Sequence, residues 1–166
     1  MERLCGRAES GRRVREVRLA ADPRDRDAAY AVRYDVFVTE QQVPADLELD
    51  ALDETADHFV AYDDDLAVGA GRLVVEPTGF EGADPALGPV GHLGRLAVRP
   101  HVRGTALGVT LVRAVEERAA ARGLQLVVLA AQTHATGFYE RLGYTAYGEV
   151  FDDAGLQHRW MRKPLG

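Results

Sequence analysis

The chain has 166 residues, 46% of them hydrophobic, and a formal net charge of −6. That length fits one domain with a sizeable core, and the hydrophobic content argues for a globular fold over disorder. The acidic balance argues against a dominant nucleic-acid footprint, the lone Cys5 permits neither an intrachain disulfide nor a cysteine metal cluster, and no apolar run is long enough to cross a bilayer.

Residues 1–13 are polar and Arg-rich and read as a disordered N-terminal segment without the apolar core of a signal peptide. A cytoplasmic protein is the expectation. Cys5 lies in this segment and is a poor candidate nucleophile. The preference for arginine, with Lys163 the only lysine, matches a GC-rich bacterial genome and carries no functional weight.

Val14 to Ala20 reads as a short first strand. Asp22-Pro23 opens a helix, with an acid at the N-cap and proline at the first helical position. Ala29, Val32, Val36 and Phe37 recur at helical spacing, and the helix should end before Pro44. The acidic stretch Asp46 to Glu54, with Leu47, Leu49 and Leu52 interspersed, reads as a short helix or an ordered loop. His58 to Tyr62 and Leu66 to Glu76 are predicted strands around an Asp63-Asp64-Asp65 turn, which is better explained as solvated than as a metal site. Residues 77–90, rich in Gly and Pro, form a loop, and Gly91 to Arg99 is the next strand. Thr105 to Arg122 is the strongest helix, with Leu107, Leu111, Ala114 and Val115 on one face and Gly123 as C-cap. Leu124 to Ala130 is apolar throughout, as a strand covered on both faces should be. Thr133 to Leu142 is a short helix stopped by Gly143. Tyr144 to Phe151 and Leu156 to Lys163 close the chain as a hairpin. The pattern is one mixed α/β domain over residues 14–166, antiparallel in its N-terminal part.

The turn Arg103-Gly104-Thr105-Ala106-Leu107-Gly108 joins a strand to the long helix. Unpaired N–H groups and the positive end of the macrodipole make such a place a cradle for phosphate or pyrophosphate; ordinary turn chemistry is the alternative. It is not a Walker A loop, because no Gly-Lys-Ser/Thr is present. Gly69-Ala70-Gly71 is not a dinucleotide fingerprint either. Val74 stands where the third glycine belongs, and close packing or a bulge explains those glycines better.

Strand, Arg103-Gly104-x-Ala106-x-Gly108, long helix, buried strand and then Phe138-Tyr139-x-x-x-Gly143-Tyr144 together resemble the GNAT superfamily of acyl-CoA-dependent N-acyltransferases, from about Val14 to Leu165. Val36 to Pro44, Asp50-x-x-Asp53 with His58, Ala131-Gln132-x-His134-Ala135, and Gly155-Leu156-Gln157-His158-x-x-Met161 resemble its ElaA-like branch.

The resemblance implies a single GNAT-type α/β (mixed α+β) domain, with a central, mostly antiparallel, splayed mixed sheet flanked by helices. It implies acetyl-CoA as co-substrate and no metal. The backbone amides of Arg103, Gly104, Thr105, Ala106, Leu107 and Gly108 would hold the pyrophosphate. Ala106, in place of the usual glycine, implies weaker or slightly shifted binding. Leu96, Ala97 and Val98 would pair with the pantetheine arm and supply an N–H to the oxyanion. Gln132 stands where many relatives carry an asparagine that contacts pantetheine. Tyr139 would protonate the leaving thiolate; otherwise it is a half-buried aromatic beside Phe138 and Leu142.

The base is left open among Glu40, Asp53, Glu54, His58, His134 and His158, with Glu40, His58 and His158 as acceptor-site candidates. The histidines lack the local spacing of a zinc site. The field of the acidic stretch would favour a cationic acceptor, although acidity also serves solubility. The implied activity is N-acetyl transfer to a primary amine, on a small molecule or a peptide, without nucleic acid or membrane; a homodimer stays open. A non-catalytic acyl-CoA-binding regulatory module and a nucleotide-binding protein are the competing readings.

Overall fold

Among the described residues, seven strands form one sheet: β1 (Arg15–Leu19), β2 (Asp57–Asp63), β3 (Leu66–Glu76), β4 (Val90–Val98), β5 (Leu126–Gln132), β6 (Thr145–Asp153) and β7 (Leu156–Pro164). In this computed structural model, which describes residues 15–166, their order is β1-β2-β3-β4-β5-β7-β6. The expected segment 1–13 and Cys5 lie outside the described residues. Every pairing is antiparallel except β4 with β5, which is parallel. The sheet is therefore mixed and mostly antiparallel, as expected.

The strands alternate their side chains between two faces, and a helix covers each face. On one, α1 (Pro23–Arg33) sets Ala29 and Val32 against Val60, Ala70 and Ala97, with Val36 beyond its end. On the other, α3 (Leu107–Ala121) sets Leu107, Leu111, Val112, Val115 and Ala119 against Phe59, Ala61, Val68, Leu73, Leu93, Val127 and Leu129. Gly69 lets α3 come close. A Cβ there would stand 2.9 Å from Leu111 Cδ1 and 3.1 Å from Ala61 Cβ, so close packing explains this glycine. The 77–90 loop folds its apolar Phe80 and Leu87 onto Val90, Leu126 and Val128.

Asp22 caps α1 as its sequence implies, its Oδ1 accepting from the Asp25 N–H at 2.8 Å. The helix does not run on regularly toward Pro44. It ends at Arg33 and continues as a π-helical segment, Tyr34–Glu40, closed by the Gln41 N–H on the Val36 carbonyl. Val36, Val38 and Thr39 are β-branched and crowd an α-helical turn. The wider turn rotates the faces of the helix, and Glu40 and Gln41 end on the wall of a cleft. The acidic stretch becomes α2 (Ala45–Glu48) and a 3-10 turn, Ala51–Glu54, with Asp50 and Asp53 forming a capping box. The helix predicted over 133–142 is a 3-10 turn followed by α4 (Thr136–Arg141).

Candidate active site

β4 and β5 are paired only at Gly91↔Val127 and His92↔Val128. Beyond His92 the two strands part, and a cleft of about 1170 Å³ opens between them. A bulge lies on the β4 side of the gap. Ala70 faces Ala97 and Arg72 faces Gly94, so Arg95 and Leu96 together oppose the single Gly71. Arg95 carries the turn at φ +51°, in the left-handed region. A bulge leaves its extra residue outside the ladder, so this is where β4 has backbone groups to offer a ligand. Leu96, Ala97 and Val98 all line the cleft.

The strand-to-helix turn closes one end. Arg103, Gly104, Ala106, Leu107 and Gly108 line the cleft. Thr105 does not; its hydroxyl closes the turn by donating to the Val102 carbonyl at 2.5 Å. Ala106 is the N-cap residue at φ +64°, ψ 9°, a conformation glycine adopts freely and alanine does not. The departure from glycine therefore matters first to the backbone. Ala106→Gly is expected to stabilise the fold by roughly 0.5–1 kcal/mol, the relieved strain exceeding the extra unfolded-state entropy. The denaturant midpoint should rise at constant slope. Gly108 is hemmed in: a Cβ there would lie 3.3 Å from Phe138 Cζ.

The opposite wall comes from β5, α4 and the β6–β7 hairpin. It carries Gln132, His134, Phe138, Tyr139, Phe151, His158 and Trp160. Tyr139 is 9% exposed and packs edge-on against Phe138 and Tyr144. Burial pushes its phenol pKa well above the usual 10, so it stays protonated at any working pH.

Two links cross the cleft from the π-helical end. Glu40 takes a bidentate pair of hydrogen bonds from Arg103, both at 2.6 Å, while Arg103 Nε donates to the Val98 carbonyl at 2.9 Å. This bonding lowers the Glu40 pKa and weakens it as a base. Gln132 Nε2 donates to Gln41 Oε1 at 2.8 Å. The adjacent Glu40 and Gln41 thus hold one residue from each wall.

Within the acidic stretch, Glu48, Asp50 and Asp53 are bonded to arginines of three other elements. Arg33 donates to Glu48 Oε1 at 2.6 Å and to Asp53 at 2.7 and 3.1 Å. Arg72 donates to Asp50 at 2.7 and 3.0 Å and to Asp53 at 2.9 Å. Arg95, on the bulge, donates to the carbonyls of Glu48 and Leu47 and to Asp50 Oδ2 at 3.0, 3.3 and 3.3 Å. Three of the five carboxylates between Asp46 and Glu54 thus face three guanidinium groups, which compensate their charge locally. The arrangement ties the strained bulge to the segment 47–53.

Several base candidates are placed away from the cleft. His58 is 3% exposed and its Nε2–H donates to the Asp53 carbonyl at 2.7 Å beneath the acidic segment. It does not border the acceptor space. Asp53 is held well below the usual carboxylate range by the hydrogen bonds of Arg33, the Asp50 N–H and Arg72, which overcome its burial. Glu54 is exposed and also outside the cleft. Glu40, His134 and His158 do line it.

Sequence reasoning passed over His92 and its partner Glu76, and Arg33, Arg72 and Arg95. Period-two alternation puts Glu76 and His92 on one sheet face, and that was a readable signal. The arginines have no local signal, because their partners lie far along the chain. No helix among the described residues is long and apolar enough to cross a membrane.

A family model for an acetyltransferase (GNAT) domain matches residues 19–165. The chain is similar to YjcF of Bacillus subtilis (strain 168), described as an uncharacterized N-acetyltransferase. The two are 39% identical over 136 residues, 81% of this chain and 89% of YjcF. Protein ElaA of Escherichia coli (strain K12) is 30% identical over 141 residues, 83% of this chain and 86% of ElaA. Among solved structures, an acyl-CoA N-acyltransferase from Pseudomonas aeruginosa superposes with a TM-score of 0.74 at 29% identity, covering 92% of this chain and 99% of that one. The Escherichia coli ElaA structure gives a TM-score of 0.72 at 24% identity, with 92% and 99% coverage. A parted sheet, a bulged strand and a family match over nearly all the described residues lead to one assignment: the chain belongs to the GNAT acetyltransferase family, in its ElaA-like branch, and is an acyltransferase of the kind that uses acyl-CoA.

Proposed function

We propose that the enzyme transfers the acetyl group of acetyl-CoA to a primary amine by direct nucleophilic attack. The observation that carries this reading is the bulge at Arg95–Leu96, which faces the wall bearing Tyr139 across the gap between β4 and β5. The amides from Arg103 to Gly108 hold the pyrophosphate at the start of α3, where unpaired N–H groups and the helix dipole favour an anion. Pantetheine runs along Leu96, Ala97 and Val98, with Gln132 opposite. A β4 N–H at the bulge receives the oxyanion, and Tyr139 protonates the sulfur as the C–S bond breaks. The acceptor, a small-molecule or peptide amine, enters from the side of Phe151, His158 and Trp160.

The test is acetyl-CoA turnover against a panel of polyamines, amino acids, aryl-alkyl amines and lysine peptides. Acetylated amine and free CoA should appear in equal amounts. Acetyl-CoA hydrolysis alone, or no CoA release with any amine, would overturn the reading.

In the free protein the Arg103 guanidinium is engaged by Glu40, and a pyrophosphate would compete for it. Glu40→Gln should tighten acetyl-CoA binding by at most about fivefold, because an exposed pair is worth only about 1 kcal/mol or less. Calorimetric titration of both proteins measures this.

A further inference from the structure

We propose that His92, held by Glu76, is the general base that takes the proton from the attacking amine. The inference rests on the amine-acetylation reading above and supplies the base that reading lacks. His92 is the last residue of β4 still paired with β5, so its side chain stands where the cleft begins, and it lines that cleft. Its Nδ1 is 3.1 Å from Glu76 Oε1, a diagonal neighbour on β3. A carboxylate only accepts, so Nδ1 carries the proton and Nε2 keeps a free lone pair. The ring is fixed on its flanks by Phe80 and Trp160, with centroids 5.3 and 5.6 Å away. This gives a base, an orienting acid and a rigid frame at the mouth of the acceptor side.

The charged groups acting on His92 are Glu76 and Arg72 of β3 and Arg95 of its own strand. From β5, β7 and the 77–90 loop it meets Val128, Trp160 and Phe80, none of which titrates. Burial outweighs the pull of Glu76 and, with the two arginines, lowers the imidazole below its usual 6.5. The ring is neutral, and thus a competent base, at pH 7. Arg95 of the bulge lies three positions after His92, about 10 Å along a strand at roughly 3.3 Å per residue. The imidazole, the amine nitrogen and one bridging water span that distance, within the reach of general-base catalysis.

The amine nitrogen attacks the thioester carbon, the N–C bond forms and the nitrogen becomes cationic and acidic. Nε2 takes one proton from it. The C–S bond breaks with its electron pair going to sulfur, and Tyr139 supplies the proton of the CoA thiol. The proton on the imidazolium returns to the phenol oxygen through solvent.

The experiment compares pH profiles of kcat/KM for the best amine in wild type, His92→Gln and Glu76→Gln. Wild type should show an acid limb that rises through a value below 6.5. His92→Gln should lose that limb and fall by about 10²-fold or more, with acetyl-CoA affinity and Tm unchanged. In Glu76→Gln the imidazolium loses its carboxylate partner, so the limb should move to lower pH; a purely structural role for Glu76 predicts no such move. Ring 15N NMR of wild type should show His92 neutral and protonated on Nδ1 at pH 7, a reading that needs no variant to fold. An unchanged limb and rate in His92→Gln, or a proton on Nε2, overturns the proposal and leaves amine acetylation standing. Absence of turnover in wild type with every amine overturns both.

Discussion

Tyr139→Phe is expected to lower kcat by about 10²–10⁴-fold, the range for loss of a positioned acid, with little change in acetyl-CoA affinity. In the proposed role the hydroxyl acts when sulfur gains charge, not when the thioester binds, so the loss belongs in kcat. Burial keeps the phenol protonated throughout the usable pH range, so the deficit should be flat with pH. The same desolvation raises the proton affinity of a thiolate left in the cleft, so donor and acceptor shift in the same direction. Phenylalanine keeps the edge-on contacts with Phe138 and Tyr144, and Tm should hold. Tyr144→Phe is the matched control. Its hydroxyl is buried and finds no hydrogen-bond partner among the described residues, so its removal should be neutral or slightly stabilising and leave kcat intact. Steady-state kinetics with thiol detection reads both variants. An undiminished kcat in Tyr139→Phe removes this residue as the acid and returns it to the role of a packed aromatic.

Local chemistry was legible wherever the folding instruction is local. Asp22-Pro23 opens α1 and its side chain caps it. The turns after Asp63 and Asp153 lie where the acidic and glycine-bearing runs predict them. Gly123, at φ +77°, follows the end of α3. What escaped detection breaks a local rule. Arg95 and Ala106 adopt positive φ without being glycine, so nothing in the residue type announces the bulge or the strained cap. The π-helical segment hides behind Val32 and Val36, whose spacing suits a regular helix; the shift shows only in where Glu40 and Gln41 arrive. Charge misled for a related reason. Glu48, Asp50 and Asp53 read only as part of an acidic helix or loop with a field, because the partners Arg33, Arg72 and Arg95 reach them from α1, β3 and β4. His58 kept its place beside that run, but as a donor to the Asp53 carbonyl rather than as a wall of the cleft. Tyr139, Gln132 and the 103–108 turn are singled out only by family resemblance; composition and periodicity alone leave them ambiguous.

Asp53→Asn should destabilise the fold by about 3–5 kcal/mol, the penalty for leaving buried charge uncompensated. Asp53 is 8% exposed and accepts from Arg33, Arg72 and the Asp50 N–H. Arg33 is fully buried and Arg72 nearly so, and neither can turn to water when the carboxylate is lost. The direction of the pH dependence follows from the depressed Asp53 pKa. The folded state holds this proton less tightly than the unfolded state, so the stabilisation is fully present above the ordinary carboxylate value near 4 and is lost as pH falls below it. The variant should therefore show a flatter acid limb of stability than wild type, as well as a lower denaturant midpoint at pH 7. A double-mutant cycle of Arg33→Met with Glu48→Gln separates pairing from packing. If the network is cooperative, the double variant loses less than the sum of the singles. The consequence reaches the cleft, because Glu48 and Asp50 also hold Arg95 on the bulge. Asp50→Asn, at the more exposed edge of the network, should cost less stability than Asp53→Asn yet lower kcat, since it loosens the strand proposed to aim the oxyanion donor. Full activity in a well-folded Asp50→Asn protein would show that the bulge holds its geometry without the acidic segment, leaving the network a purely structural role.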